Sequence, residues 1–139
     1  MRENLSVYLD HGGRLFISGA YLGSDMRTLE DERFMTKKLR SQYVGKLPED
    51  MNGTINGENF TAAFEQEYNQ ETYAVQHPEM IKPVGEAQVT LNYGSGACAG
   101  VACKTGKART YVMSVPFESI KTDEARVELM GKIVEFLTK

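Results

Sequence analysis

The first twenty residues contain a predicted helix, a glycine turn and a buried strand in direct succession. Apolar residues recur at helical spacing from Leu5 to Leu9, and the pattern stops at Gly12-Gly13, where a glycine can take the left-handed conformation that ends helices. Residues 14–20 are nearly continuous in apolar side chains, which is typical of a strand covered on both faces of a parallel sheet. This order predicts the second half of a βαβ unit.

The strand that should precede this unit is absent from the sequence. A parallel strand needs a parallel neighbour, and the crossover between the two is almost always right-handed. Two hypotheses follow, of which we favour the first: earlier strands belong to an upstream part of a longer protein, or a second copy completes the sheet. In both, Leu15–Ile17 lies inside a layered sheet whose earlier neighbours come from elsewhere.

The middle of the chain predicts a helix and then a small β insertion. Thr28 is a candidate N-cap for a helix that extends to Tyr43, because three acidic residues follow in the first turn. Residues 45–83 differ in character, with a strong hairpin signal at Asn56-Gly57 and prolines that interrupt the later part. We interpret residues 45–83 as a β insertion or irregular connection.

The last third predicts strands and a closing helix. Residues 87–93 alternate in polarity, and two further β-prone segments flank a turn at Lys104–Lys107. A helix begins after Thr122, and its predicted buried stripe is formed by Val127, Met130, Ile133, Val134 and Leu137. We therefore predict a single α/β domain over residues 1–139, with a mixed, partly parallel sheet flanked by helices, Rossmann-like or flavodoxin-like and incomplete at its N-terminal side.

Composition restricts the classes of partner. The 139 residues are 41% hydrophobic and 25% charged, which is enough for a real core. Sixteen basic and 19 acidic residues give a net charge of −3, without the positive charge that nucleic-acid binding requires. No apolar run approaches the roughly 20 residues of a membrane helix, and the N-terminus lacks the apolar region of a signal peptide. We expect neither a nucleic-acid partner nor membrane insertion.

Gly96–Gly100 matches the G-x-[nucleophile]-x-G motif of a nucleophile elbow, with Cys98 at the nucleophile position. An elbow leads into a helix, whereas the residues that follow predict a strand, and the two histidines, His11 and His77, lie in other segments. We therefore interpret Cys98 as a packed residue beside a turn. On one strand Cys98 and Cys103 would be about 16 Å apart, too far for a disulfide. Zinc spacings and phosphate-binding glycine motifs are absent, and we expect no metal and no cofactor.

Polar residues follow the predicted buried strands, at the strand ends where open α/β sheets bind ligands. The candidate ligand-binding residues are Ser18, Ser24 and Asp25 after the first strand, and Ser114, Glu118 and Ser119 after the last. The alternative is structural: Ser24 and Asp25 would cap the helix near Thr28, and Glu118 would accept backbone amides. If Asp25 and Glu118 converge, the pair would suit acid–base chemistry or a hard cation.

Two runs of sequence carry a family resemblance. The run from Tyr8 to Asp25, with Gly12-Gly13-Arg14-Leu15 and Ser18-Gly19, and the ending from Val115 through Ile120, Arg126 and Leu129-Met130 to Leu137, resemble bacterial domains of the class I glutamine-amidotransferase-like fold. In particular they resemble the C-terminal domain of secreted proteins labelled putative xanthan lyase. The resemblance implies a mixed sheet with upstream strands, an extracellular or periplasmic setting and a link to polysaccharide use. It transfers no catalytic residues.

Three function hypotheses follow. The leading one is a non-catalytic accessory or interaction domain of a carbohydrate-processing protein, whose partner is an upstream domain or a second copy, with polysaccharide as a further candidate partner. An alternative is a polysaccharide lyase or hydrolase acting on an acidic polysaccharide, for which Tyr21, His11 and Arg14 are the clustered candidates. The third is small-ligand binding, without chemistry, at the strand ends.

Overall fold

The computed structural model describes residues 2–20, 28–48, 53–66 and 78–139. The α-helices are α1 (Arg2–Asp10), α2 (Leu29–Lys37) and α3 (Asp123–Thr138). The strands are β1 (Arg14–Ser18), β2 (Ser41–Lys46), β3 (Thr54–Gly57), β4 (Phe60–Ala63), β5 (Glu79–Pro83), β6 (Gln88–Tyr93), β7 (Cys98–Thr105) and β8 (Ala108–Met113). A short 3-10 helix, Phe117–Ser119, follows β8.

Six strands form one mixed sheet in the order β1-β8-β7-β6-β3-β4, and β2 pairs with β5 in a second sheet. β1 runs parallel to β8, whereas the other neighbouring strands of the described sheet are antiparallel. The prediction of an α/β fold with a mixed, partly parallel sheet and flanking helices is confirmed. A Rossmann-like or flavodoxin-like arrangement is not shown. The predicted insertion at residues 45–83 contributes β3 and β4 to the main sheet and β5 to the small one.

Helices cover both faces of β1, as its apolar sequence predicts. Phe16 packs with Tyr111 of β8, with ring centroids 6.0 Å apart, in the core that α3 closes with Leu129 and Ile133. Leu15 and Ile17 point to the opposite face and pack in the core beneath α1 and α2. The alternation of side chains along β1 therefore joins two hydrophobic cores through one strand.

The N-terminal succession of helix, turn and strand is confirmed. α1 ends before Gly12, which takes the left-handed φ of 83° and donates its amide to the carbonyl of Leu9 at 3.0 Å. β1 then pairs with β8 in register, Arg14 beside Arg109 and Ser18 beside Met113. Within the described sheet β1 lies at the edge, so its second side faces no described strand.

Two predicted boundaries in the middle of the chain are wrong. α2 begins after the N-cap Thr28, as predicted, but ends at Lys37 because Arg40 adopts a left-handed φ of 54°, and Tyr43 lies in β2. The hairpin turn lies at Glu58-Asn59, not at Asn56-Gly57, because Asn59 supplies the left-handed residue with a φ of 55°. Both shifts come from a non-glycine residue that takes a positive φ, which patterns built on glycine do not anticipate.

The predicted stripe of the closing helix is also partly wrong. Thr122 caps α3 by accepting the amide of Ala125, and Ile133 is buried as predicted. Val127 and Val134, however, are 74% and 47% exposed, and Leu129 is the second fully buried residue. The helix is therefore rotated from the predicted face, because it must contact β1, β8 and β4 at once.

Candidate functional site

The carboxyl ends of β1 and β8 lie side by side, as the candidate ligand site requires. Ser18 is in register with Met113, so Ser114 follows directly beside it. The Ser18 hydroxyl accepts the amide of Phe117 at 3.2 Å and thereby ties β1 to the 3-10 helix. The structure thus brings the last residues of both strands together, and it uses the first hydroxyl for an internal contact.

The other candidate hydroxyls are also engaged within the protein. Ser119 is buried and donates to the carbonyl of Pro116 at 2.7 Å, and buried Ser114 donates to the carbonyl of Ala99 at 3.2 Å. Glu118 is exposed. Ser24 and Asp25 lie outside the described residues, so the pairing of Asp25 with Glu118 and the ligand role of all six residues stay predictions.

Beneath the strand ends lies a buried polar cluster that the sequence analysis did not anticipate. The Tyr93 hydroxyl donates to the main-chain carbonyl of Glu79 at 2.6 Å and lies 3.0 Å from the Ser114 hydroxyl. Burial raises the pKa of Tyr93 well above its ordinary value, the hydrogen bond with Ser114 offsets part of this rise, and the nearby charge of Glu79 adds to it. Tyr93 is therefore a neutral donor that joins β6, β5 and the end of β8.

The Glu79 side chain is itself fully buried. The burial of Glu79 was not predicted from the sequence, because this residue lies between two prolines in a segment interpreted as irregular. The only available signal was the alternation of residues 87–93, which places Tyr93 on an inward face.

The environment of Cys98 supports its interpretation as a packed residue. Cys98 opens β7 and is followed by a strand, and its thiol donates to the carbonyl of Gly100 at 3.3 Å. Burial raises the pKa of the Cys98 thiol, which disfavours the thiolate that a nucleophile needs. Cys98 and Cys103 are both free, as the spacing predicted.

His11 is exposed and hydrogen-bonds to the Val7 carbonyl through Nδ1, while His77 lies outside the described residues. Among the described residues, no group of three or more His, Cys, Asp or Glu side chains is placed to hold a metal ion.

The outer edge of β1 presents main-chain groups that β8 does not use. The amide of Arg109 donates to Gly13 and the amide of Gly19 donates to Met113, so the odd-numbered residues of this segment face β8. By alternation, the amides and carbonyls of Arg14, Phe16 and Ser18 point away from β8.

At Arg14 these outward-facing groups are bound by the side chain of Tyr8. The Tyr8 hydroxyl accepts the Arg14 amide at 2.9 Å and lies 3.0 Å from the Arg14 carbonyl. Within the described part of the chain, Phe16 and Ser18 remain as an open strand edge.

An apolar groove adjoins this edge. A shallow cavity of about 600 Å³ is lined by Phe117 and by the exposed side of α3, including Val127, Met130 and Val134. The Phe117 ring contacts Phe16 of β1, with centroids 6.1 Å apart, so this pair of rings links the groove to β1. The open edge and the groove together form one surface, which we call the β1 surface.

Comparison with known proteins adds information at the level of the fold. No protein-family model matches the chain, and no curated protein matches it in sequence. Solved structures do match. A β-galactosidase from the Antarctic haloarchaeon Halorubrum lacusprofundi aligns over 99% of this chain and 20% of its own, with 16% identity and a TM-score of 0.62.

Two further solved structures agree with the first. A GH42 β-galactosidase from G. stearothermophilus aligns over 96% of this chain and 19% of its own, with 15% identity and a TM-score of 0.62. An exo-β-1,4-mannosidase from Opitutaceae bacterium strain TAV5 aligns over 96% of this chain and 20% of its own, with 10% identity and a TM-score of 0.58. The fold is one found within glycoside hydrolases.

These similarities extend to the fold alone, and the chain spans about a fifth of the length of the proteins it matches. They lend no support to the resemblance to xanthan-lyase-labelled proteins or to the amidotransferase-like fold. In the described part of the chain, no helix has the length and apolar character that crossing a membrane requires. The extracellular or periplasmic setting stays an expectation from the resemblance.

Proposed function

We propose that this chain is a non-catalytic accessory module of a carbohydrate-processing protein, and that it joins the rest of that protein through the β1 surface. The observation that carries the proposal is the outward-facing main chain of Phe16 and Ser18 beside the apolar groove of α3. An extended strand is the partner that matches such an edge, because it supplies amides and carbonyls at the same spacing.

The sequence of β1 supports an interior position in a larger sheet. Edge strands that face solvent are usually protected by charges, prolines or bulges. β1 instead carries the apolar run Leu15–Ile17, and helices cover both of its faces. A strand with these properties is typical of the middle of a parallel sheet.

The size relation to the matched structures favours a partner strand from the same longer protein. In each of the glycoside hydrolases described above, this fold accounts for about a fifth of one chain. In a longer protein of the same proportions, the remaining four fifths would provide strands and helices in cis. A tethered segment of this kind reaches the β1 surface at a high effective concentration. We therefore assign the β1 surface to another segment of the longer protein, and a second copy becomes an outcome of the test.

Hydrogen exchange followed residue by residue tests the edge directly. We expect the amides of Phe16 and Ser18 to exchange rapidly in this chain and those of Leu15 and Ile17, which face β8, to exchange slowly. Slow exchange of all four amides in a monomer would show that the edge is already closed and would overturn the proposal.

Light scattering on the eluted protein separates the two partners. A monomer supports pairing in cis. A dimer that Val127→Asp disrupts, while Val44→Asp at an exposed position of β2 leaves it intact, would assign the β1 surface to a second copy. Both valines are exposed, so neither substitution is expected to impair folding.

The catalytic alternative makes a different prediction. A lyase or hydrolase needs a base and a charge-stabilising group near one another. His11 and Arg14 lie at the amino end of β1, opposite Ser18, and Tyr21 lies outside the described residues. We expect no turnover of a nitrophenyl β-galactoside and no unsaturated-uronate absorbance with xanthan. Turnover in either assay that co-purifies with the folded chain would contradict the non-catalytic assignment.

A further inference from the structure

A second cavity, which is polar, lies on the other face of the sheet, away from the β1 surface. It has a volume of about 210 Å³ and lies between the ends of α1 and α2 and the β7–β8 hairpin. Its polar lining consists of Asp10, Lys37, Lys38, Arg40, Thr105 and Thr110. Neither the predicted ligand residues nor the proposed function involves any of these side chains.

The charges of this cavity do not balance within the described residues. Lys38 forms an ion pair with Asp10, which neutralises both. Lys37 and Arg40 have no carboxylate within ion-pair distance in the described part of the chain, so they leave two positive charges. The carboxyl ends of α1 and α2 contribute about half a negative charge each, which offsets only part of this excess.

Two hydrogen-bond groups in the lining are buried and lack partners among the described residues. Thr110 is 4% exposed, and its hydroxyl has no partner among the described residues. The Nε of Arg40 is likewise buried and without a partner there. A guanidinium nitrogen donates and never accepts, so its missing partner is an acceptor atom. Buried groups of this kind are rare in native proteins unless water or a ligand completes them.

The backbone holds Arg40 in this position. Arg40 is a non-glycine residue with a left-handed φ of 54°, and its carbonyl accepts the amide of Val84 at 2.9 Å. The adjacent Gly85 leaves room for the guanidinium, because a Cβ built there would lie 3.3 Å from an Arg40 terminal nitrogen. The chain thus accepts a strained conformation at the point where a half-buried cation meets the cavity.

We propose that this cavity binds a small oxyanion, with Arg40 Nε and the Thr110 hydroxyl as donors and Lys37 as the balancing charge. Sulfate, phosphate and the carboxylate of a sugar acid share this chemistry, and the volume admits a group of that size. The cavity is independent of the β1 surface, so this proposal does not rest on the accessory role. The two proposals can therefore fail separately.

Binding is measured by calorimetric titration with sodium sulfate, sodium phosphate and sodium glucuronate at constant ionic strength, with sodium chloride as the reference. We expect saturable binding with one site for at least one of the three. Saturation by sulfate or phosphate identifies a tetrahedral anion, whereas saturation by glucuronate alone identifies a sugar carboxylate. Because sulfate also stabilises folded proteins by exclusion from their surfaces, binding heat and not thermal stability is the primary measurement.

Variants distinguish the site from a general effect of positive charge. Arg40→Gln should weaken binding at least tenfold, whereas Arg33→Gln, which removes an exposed cation of α2 outside the cavity lining, should leave the affinity within twofold. Thr110→Val should weaken binding several-fold and at the same time stabilise the anion-free protein, because it removes a buried hydroxyl without a partner.

Three results would overturn the proposal. One is the absence of saturable binding by all three anions in a folded protein. The second is equal weakening by Arg40→Gln and Arg33→Gln, which would indicate surface charge alone. The third is Thr110→Val with raised stability and unchanged affinity, which would make the hydroxyl a buried group with no ligand. As a second readout, the Arg40 Nε–H resonance should shift on saturation in the wild type.

Discussion

The hydroxyl of Tyr8 serves both main-chain polar groups of Arg14. It accepts the Arg14 amide at 2.9 Å and lies within donor distance, 3.0 Å, of the Arg14 carbonyl. A side chain of α1 therefore closes the first position of the β1 edge, where a neighbouring strand would otherwise pair. The two following outward-facing residues, Phe16 and Ser18, have no such closure in the described structure.

Replacing Tyr8 by phenylalanine should open this position with little change elsewhere. The hydrogen bonds are exposed, so we expect Tyr8→Phe to lower the free energy of unfolding by about 1 kcal/mol or less. The Arg14 amide should then exchange as fast as those of Phe16 and Ser18. Tyr43→Phe, on β2, is a control that should leave Arg14 unaffected. Unchanged protection of Arg14 in Tyr8→Phe would contradict the closure.

Gly13 is the residue that allows Tyr8 to lie where it does. A Cβ added at Gly13 would lie 2.4 Å from two atoms of the Tyr8 ring, too close for any real contact. We expect Gly13→Ala to destabilise the protein by about 1–3 kcal/mol by displacing the ring. In a Tyr8→Ala background the same substitution should cost less, and a double-mutant cycle by urea denaturation measures the difference. Additive effects would show that the clash is relieved by other means.

The buried Tyr93 predicts a loss of stability in alkali. Its pKa in the folded protein is raised above the ordinary value of 10, so the neutral form is favoured by folding. This contribution is complete below pH 10 and is lost as the pH rises further, with a slope of up to about 1.4 kcal/mol per pH unit.

Tyr111, whose pKa burial also raises, acts in the same direction. Tyr93→Phe should therefore show a shallower decline than the wild type above pH 10, as measured by urea denaturation. If the free energy of unfolding declined equally in the wild type and in Tyr93→Phe, Tyr93 would not be a source of the alkaline loss of stability.

The rotation of α3 predicts opposite outcomes for two of its apolar residues. Val127 is 74% exposed, so Val127→Ser should change stability by less than about 0.5 kcal/mol. Ile133 is fully buried between the sheet and the helix, so Ile133→Ala should cost about 2–5 kcal/mol. Thermal denaturation of both variants decides the point. A large loss for Val127→Ser would mean that this face is covered by protein in the isolated chain.

Sequence patterns predict the local elements well where the residues that determine an element lie close together in the sequence. The α1–Gly12–β1 succession, the caps Thr28 and Thr122 and the β7–β8 hairpin all depend on residues within one or two turns of each other. Such elements follow from capping, glycine conformation and alternation, which are properties of the chain itself.

The features that the patterns missed depend on distant parts of the chain. The end of α2 is decided by Arg40, whose left-handed conformation is held through the amide of Val84. The face of α3 is decided by three strands that it must contact. Likewise, the polar cluster joins Glu79, Tyr93 and Ser114 from three strands or their ends, and no spacing in the sequence relates these residues.

The pairing of β1 with β8 also sets the order in which the molecule assembles. β6, β7 and β8 are successive strands, whereas Arg14 meets Arg109 only after nearly the whole chain is in place. Because closing a long loop costs more entropy than closing a hairpin, we expect the β6–β8 meander to form early and α1–β1 to dock last. Until α1–β1 docks, β8 is an unpaired edge strand. At high protein concentration the α1–β1 segment of a neighbouring molecule competes for this edge, so we expect strand-exchanged dimers to form during refolding.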